Sequence, residues 1–181
     1  PTFLAGLIDP LIKSVTVHNL VESVIKLVIF FLYLLLCSKQ KDIYRVFQYH
    51  GAEHKTIFCY EAGLPLTVEN CRIQPRHHPR CGTSFLFVIM IISILVFSVV
   101  TADSRIMQLV LRLVLLPVVI GLSYEVNRFA GRHDGVLSSI LRWPGMMLQH
   151  ITVLEPDDSM IEVAIEALKR VIPDDKQEDK W

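Results

Sequence analysis

Two histidines and a glutamate lie close enough along the chain to bind a metal ion and activate water. They are His50, Glu53 and His54, which form the pattern H-x-x-E-H. In a helix that turns about 100° per residue, the two histidines project within roughly 40° of one another, with Glu53 on the neighbouring row. This is the spacing of an inverted zincin, in which two imidazoles bind zinc and a carboxylate takes a proton from water. The pattern predicts a divalent metal, with zinc favoured, on His50 and His54, and a catalytic base at Glu53.

A third metal ligand must come from elsewhere, because a catalytic zinc has three protein ligands and one open position. Glu125 is the first choice: it follows an apolar span that should return to the level of the motif, and a downstream acid suits an inverted zincin. His78 ranks second and Cys81 third, since both immediately precede another apolar span on that side.

Other polar residues are expected beside the metal or the substrate. Glu61 returns to the helical face of His54 but lies about 10 Å along the axis, whereas a metal bond is about 2 Å. Arg80 could receive an anionic headgroup or phosphate. Glu69 lies in the intervening loop, and Cys81 joins this group if it is not a ligand.

Simpler explanations exist for the same residues. The motif histidines could hydrogen-bond to neighbours at the headgroup boundary, and Glu125 could pair with Arg128. Positive-inside topology alone also predicts arginines near Arg80. Cys71 and Cys81, with the two histidines between them, could form a closed structural zinc site, but their spacing matches no standard zinc ribbon.

The composition indicates a membrane protein. The hydrophobic fraction is 52% and the mean hydropathy is +0.45, above the usual values for soluble domains. Three stretches are long and apolar enough to cross a bilayer, and they lie at about 20–37, 83–101 and 106–124. The third contains Arg112, Pro117 and Gly121, which membrane helices tolerate.

The positions of the basic residues predict the orientation. The motif loop, 38–82, is rich in lysine and arginine, whereas the connector near Ser104 offers only Arg105. The motif loop and the C-terminal region, 125–181, should therefore be cytoplasmic. Thiols stay reduced there, so structural disulfides are not expected. A formal net charge of zero gives no support for nucleic-acid binding.

Outside the spans, periodicity predicts two helices. Lys41 to Ala62 should leave the membrane as an amphipathic helix that carries the motif, and a capping box at Ser159 precedes a short packing helix with an apolar stripe from Ile161 to Leu168. Leu66 to Val68 is strand-like, and Thr83 or Ser84 should cap the second span. The predicted fold is an all-α, polytopic membrane domain over residues 1–181 with about three spans and cytoplasmic amphipathic helices. It is expected to be a fragment, since Phe3 to Ile12 is typical of the end of an upstream element.

Long motifs along most of the chain resemble a known family. They are Arg45–Ile57, Tyr60-Glu61, Leu66–Asn70, His78–Leu86, Ser123–Glu125 and Glu155–Asp158. The chain resembles the YqhQ-like family of bacterial integral membrane proteins, a domain of unknown function described as a predicted metal-dependent enzyme. The resemblance implies a polytopic bacterial membrane protein that uses a metal, and it implies little about substrate.

These observations favour a metal-dependent membrane hydrolase with a cytoplasm-facing site. Membrane lipids are the expected partners, and a lipid headgroup ester or a juxtamembrane peptide bond would suit the depth of the site. The alternative from another class is a non-enzymatic membrane scaffold or assembly factor. A di-iron lipid hydroxylase or desaturase is less favoured, because such sites need about eight histidines (a family expectation) and the chain has 7. The oligomeric state is left open.

Overall fold

The computed structural model describes residues 14–100, 104–133 and 135–173. Helices joined by loops make up this part of the chain. Within these ranges there is no strand, and the all-α prediction is confirmed. The helices are α1 (Val15–Cys37), α2 (Lys41–Glu61), α3 (Val68–Arg72), α4 (Gly82–Val99), α5 (Arg105–Arg132), α6 (Val136–Thr152) and α7 (Asp158–Lys169). The segment Phe3 to Ile12 lies outside the described residues.

Three of these helices are long and apolar enough to cross a membrane, as hydropathy predicts. The candidate spans are Val17–Cys37 in α1, Gly82–Val99 in α4 and Ile106–Arg132 in α5. α4 packs against α1, α5 and α6. An ion pair joins two turns in the first half of α1, with Lys26 Nζ 3.2 Å from Glu22 Oε1.

α5 is longer than its apolar stretch. It includes Pro117 in its interior and continues through Glu125 and Arg128 to Arg132, where the sequence predicts a span that ends at 124. At 1.5 Å per residue, its 28 residues extend about 42 Å, against a hydrocarbon core of about 30 Å. α5 is therefore longer than a bilayer core requires, and its last two turns lie at the end of the helical bundle where α1 ends and α4 begins.

A small packed region forms beside that end of the bundle. α2 packs against α7 and α3, and their shared core contains Ala52, Cys59, Cys71, Met160, Ile161 and Ile165. The chain that follows α6 crosses α2 at Gly51, where an added Cβ would lie 1.9 Å from the Leu154 carbonyl oxygen. The backbone N–H of Leu154 donates to the Phe47 carbonyl at 2.9 Å. Close backbone contact at Gly51 therefore fixes α2 against the end of α6.

Three local predictions need correction. Leu66 to Val68 is not a strand, because it has no partner strand and Thr67 instead caps α3 by accepting from the Asn70 N–H. The cap of α7 is Asp157, which accepts from the Met160 N–H, while Ser159 donates to Asp157. The N-cap residue of α4 is Cys81.

Candidate metal centre

The motif helix brings its two histidines together as the spacing predicts. His50 and His54 lie one turn apart on α2, and their ring centroids are 4.4 Å apart. His54 is buried and His50 is half-buried, whereas Glu53 is exposed.

Each motif histidine is oriented by a backbone carbonyl. His50 Nδ1 lies 2.9 Å from the Thr152 carbonyl oxygen, and His54 Nδ1 lies 2.6 Å from that of Arg76. A carbonyl can only accept, so Nδ1 carries the proton in both rings and Nε2 of the neutral ring presents its lone pair. Metal-binding histidines almost always donate their second ring N–H in this way. The arrangement sets both Nε2 atoms as potential metal ligands.

Cys81 completes a group of three donors. Its Sγ lies 3.2 Å from His50 Nε2, and one ligand atom from each of His50, His54 and Cys81 lies within 4.8 Å of the others. Donor atoms around a tetrahedral zinc are about 3.5 Å apart. The three side chains therefore could hold a metal ion with little movement and leave one position open.

The electrostatics of the cluster favour an ionised thiol. Burial raises the pKa of Cys81, but its polar contacts with His50, His54 and Thr83 outweigh burial and lower that pKa to about 5. Burial lowers the pKa of His50, yet its contacts with Cys81, the Thr152 carbonyl and Glu53 leave it raised. A thiolate is the form of cysteine that binds metals and acts as a nucleophile.

The cluster opens into a cavity of about 350 Å³. Its lining includes all three donors and Glu53, together with Ile57, Tyr60, Glu61, His78, Arg80, Gly82 and Leu168. The base candidate and the donor group therefore face the same space, and apolar side chains lie beside them.

His78 lies next to the donor group, but both of its ring nitrogens are occupied. Its Nδ1 accepts from the Arg80 N–H at 3.2 Å, so its Nε2 is protonated and faces Glu61 Oε2 at 3.3 Å. Burial lowers the pKa of His78 more than Glu61 raises it. Glu61 also pairs with the Arg80 guanidinium. The three residues form one wall of the cavity rather than part of the donor group.

Glu125, the first choice for the third ligand, does not join the donor group, which contains Cys81 in its place. Its side chain is 66% exposed and lies 3.6 Å from Arg128 on the same helix. The structure therefore brings Glu125 together with Arg128, as the simpler explanation expects, and not with the two histidines.

Glu69 and His77 also lie outside the donor group. Glu69 is exposed in the first turn of α3, and the His77 ring packs on the His150 ring, 4.5 Å between centroids. Cys71 is in the α2–α3–α7 core beside Cys59, away from the candidate metal group, so it does not form the closed Cys71–Cys81 site.

Two positioning residues, Gln149 and Lys55, were not predicted from the sequence. Gln149 is fully buried and clamps His78, accepting from its N–H at 2.8 Å and donating to its carbonyl at 2.7 Å. Lys55, inside the motif helix, is buried and donates to the carbonyls of Arg72 and Gln74 while pairing with Glu155. A lysine on the otherwise buried face of an amphipathic helix is the one signal that could have been noticed.

Three apolar helices and a polar donor cluster at one end of them define the class: a multi-pass α-helical membrane protein with a candidate metal centre at one end of its helical bundle. The chain belongs to the family described as "Protein of unknown function (DUF1385)", whose model matches residues 1–174. It is 40% identical over 173 residues to "Uncharacterized protein YqhQ" of Bacillus subtilis (strain 168), covering 95% of this chain and 54% of that protein. The chain thus spans about half the length of this relative. No solved structure matches.

Proposed function

We propose that this protein is a metal-dependent hydrolase that acts at the membrane surface. His50, His54 and Cys81 would hold a divalent metal, and Glu53 would serve as the base. The single observation that carries the proposal is the convergence of three donor atoms within 4.8 Å, two of them on rings anchored by backbone carbonyls.

The donor set suits zinc better than other common divalent metals. Zinc accepts imidazole and thiolate together, whereas calcium and magnesium require oxygen donors. Three protein ligands leave a fourth position for water, which is typical of catalytic rather than structural zinc. A metal in this group would lower the pKa of a bound water toward about 7.

The remaining residues supply the chemistry around that water. Glu53 lines the cavity beside the donors and, being exposed, is free to accept a proton and return it to a leaving group. Arg80, on the wall that Glu61 organises, supplies guanidinium N–H donors for an anionic or carbonyl group of the substrate. The basic motif loop favours a cytoplasmic location for this site.

Metal content tests the proposal directly. The purified protein should contain about one zinc per chain by elemental analysis, and His50→Ala, His54→Ala and Cys81→Ala should each lose it. His77→Ala and Glu125→Gln are the matched controls, because both residues lie outside the donor group, and each should keep the metal. Glu53→Gln should keep the metal and lose hydrolysis of fluorogenic ester substrates. A metal-free wild type, or full metal content in His54→Ala, would refute the proposal.

A second candidate is a thiol hydrolase or acyltransferase in which Cys81 is the nucleophile. The contact of 3.2 Å between Cys81 Sγ and His50 Nε2 favours it, and the Thr152 carbonyl holds His50 in the tautomer that a general base requires. Cys81 at the N-cap of α4 also benefits from the positive end of the helix dipole.

Chelation separates the two mechanisms. Activity that survives complete metal removal but is abolished by Cys81→Ala, with an acyl group trapped on that residue, supports the thiol mechanism. Activity that disappears on chelation and returns with zinc supports the metal mechanism.

A further inference from the structure

One face of α5 changes from apolar to basic along its length. Leu113, Pro117, Gly121 and Tyr124 line an open apolar groove of about 660 Å³, which Phe85 of α4 borders on one side. At about 100° per residue these positions of α5 fall on one stripe, and its next members are Asn127, Arg128 and Gly131. The groove therefore leads along the helix directly to the boundary end of α5.

A basic pocket of about 240 Å³ lies at that end. It is lined by Arg80, Asn127, Arg128, Gly131 and Arg132. Gly131 makes room for Arg80, because an added Cβ would lie 3.2 Å from Arg80 Cγ. Arg80 also lines the cavity of the candidate metal centre. One arginine thus separates the basic pocket from the proposed metal ligands.

The charges of this basic pocket are only partly neutralised. Arg80 pairs with Glu61 on the metal side, and Arg128 has a loose pair with the exposed Glu125 at 3.6 Å. For Arg132, no carboxylate within residues 14–100, 104–133 and 135–173 lies within ion-pair distance. Guanidinium groups bind phosphate in a planar, two-bond geometry. The pocket is suited to a phosphate group.

The depth matches that of a lipid headgroup. Groove residues lie within the apolar part of α5, and the arginines lie in the last turns, which extend past a hydrocarbon core of about 30 Å. An acyl chain in the groove and a phosphate in the basic pocket would belong to one amphiphile. Basic pockets between membrane helices commonly bind anionic headgroups.

We propose that the groove and the basic pocket bind an anionic phospholipid, with an acyl chain along α5 and its phosphate on Arg128 and Arg132. Arg80 then presents the headgroup to the cavity that holds His50, His54 and Cys81. As an assignment of substrate class this rests on the proposed hydrolase function, but lipid binding itself does not require a metal.

Lipid binding can be measured by native mass spectrometry of the detergent-purified chain, titrated with phosphatidylglycerol or phosphatidylcholine. Phosphatidylglycerol should bind about tenfold more tightly. The double variant Arg128→Gln and Arg132→Gln should weaken its binding by about tenfold or more. The matched control, Lys169→Gln with Arg170→Gln at the end of α7, removes two positive charges elsewhere. It should leave the affinity for phosphatidylglycerol within about twofold of the wild-type value.

A groove variant tests the acyl-chain contact separately. Gly121→Leu adds a side chain where no heavy atom lies within 4 Å of the Cβ position, so it should fill the groove without disturbing packing. It should lower the affinity for phosphatidylglycerol by about threefold or more and leave the affinity for soluble glycerol phosphate unchanged.

Three results would overturn the lipid site: equal binding of the two lipids, equal losses in the pocket and control variants, or an unchanged affinity in Gly121→Leu. His54→Ala separates this inference from the hydrolase proposal, since it should lose metal and retain phosphatidylglycerol. Lost lipid specificity with zinc content intact would refute only the lipid site. A metal-free protein with intact lipid specificity would refute only the hydrolase.

Discussion

Cys81 and Cys71 are both buried against α2, yet their surroundings give them opposite chemistry. Cys71 lies fully buried beside Cys59 in the apolar core of α2, α3 and α7, where burial and the neighbouring thiol raise its pKa to about 11. Cys81 is 5% exposed, but its neighbours are His50, His54 and Thr83, and its pKa is lowered to about 5. Burial alone does not decide thiol chemistry; the donors that face the sulfur decide it.

The largest expected effect is the loss of metal when His54, one of the two imidazoles beside Cys81, is replaced. His54→Ala should lower zinc affinity by at least about 100-fold, because a direct ligand matters at least as much as the residues that orient it. His77→Ala should keep wild-type affinity, since its ring packs on His150. Competition with a fluorescent chelator measures both. Equal losses in the two variants would mean that the effect is not specific to the donor group.

The next largest effect is expected at Gly51, where a close backbone contact lies in the region that orients His50. In Gly51→Ala the new Cβ would meet the Leu154 carbonyl oxygen at 1.9 Å, so the end of α6 and its Thr152 carbonyl must move. We expect a loss of about 2–3 kcal/mol in the free energy of unfolding and weaker zinc binding. Gly82→Ala is the control, because open space surrounds its Cβ position. A thermal-shift assay in detergent that gives the same midpoint for both variants would contradict this expectation.

Thiol reactivity tests the pKa difference. Since the pKa of folded Cys81 is about 5, below the usual value near 8.5, its thiolate predominates above pH 5 and its alkylation should decline as pH falls through 5. In metal-free protein at pH 6.5, iodoacetamide should therefore modify Cys81 about tenfold faster than Cys71, whose pKa is raised.

The position of alkylation is read by peptide mass spectrometry. His50→Ala removes a hydrogen bond that lowers the Cys81 pKa, so the rate at pH 6.5 should decline. Preferential modification of Cys71 in folded protein would reverse the comparison.

The smallest effect is expected from a substitution of Cys71 in the apolar core. Cys71→Ala removes a sulfur from the core and should lower the free energy of unfolding by about 1 kcal/mol without changing zinc content. Cys81→Ala should give the opposite pattern, with lost zinc and a smaller change in the stability of the metal-free protein. Chemical denaturation and elemental analysis of the same preparations measure the two quantities. Zinc loss in Cys71→Ala would show that the two regions are not independent.

Local patterns predicted much of the fold and two of the three members of the donor group. The spans follow from hydropathy, because each helix satisfies its own backbone and needs only a continuous apolar run. The predicted motif helix, Lys41 to Ala62, differs from α2 by one residue. His50 and His54 meet because four residues make one helical turn.

The proximity of Cys81 to the motif histidines could not be predicted, because it depends on contacts between distant segments. Gln149 clamps the His78 backbone, and Lys55 holds the preceding loop at Arg72 and Gln74. These contacts join residues 17 to 71 positions apart, and periodicity carries no information at that range.

By itself, the sequence determined the motif helix, the helix after Asp157, the three apolar spans and the pairing of two imidazoles, because each depends on interactions within one turn or one span. Only the tertiary structure decided that a thiol rather than Glu125 faces those imidazoles, and that Arg80 joins their cavity to the basic end of α5. The physical reason is that these contacts join distant segments: the exposed Glu125 pairs with Arg128 on its own helix, while Gln149 and Lys55 hold the segment before Cys81 through buried hydrogen bonds.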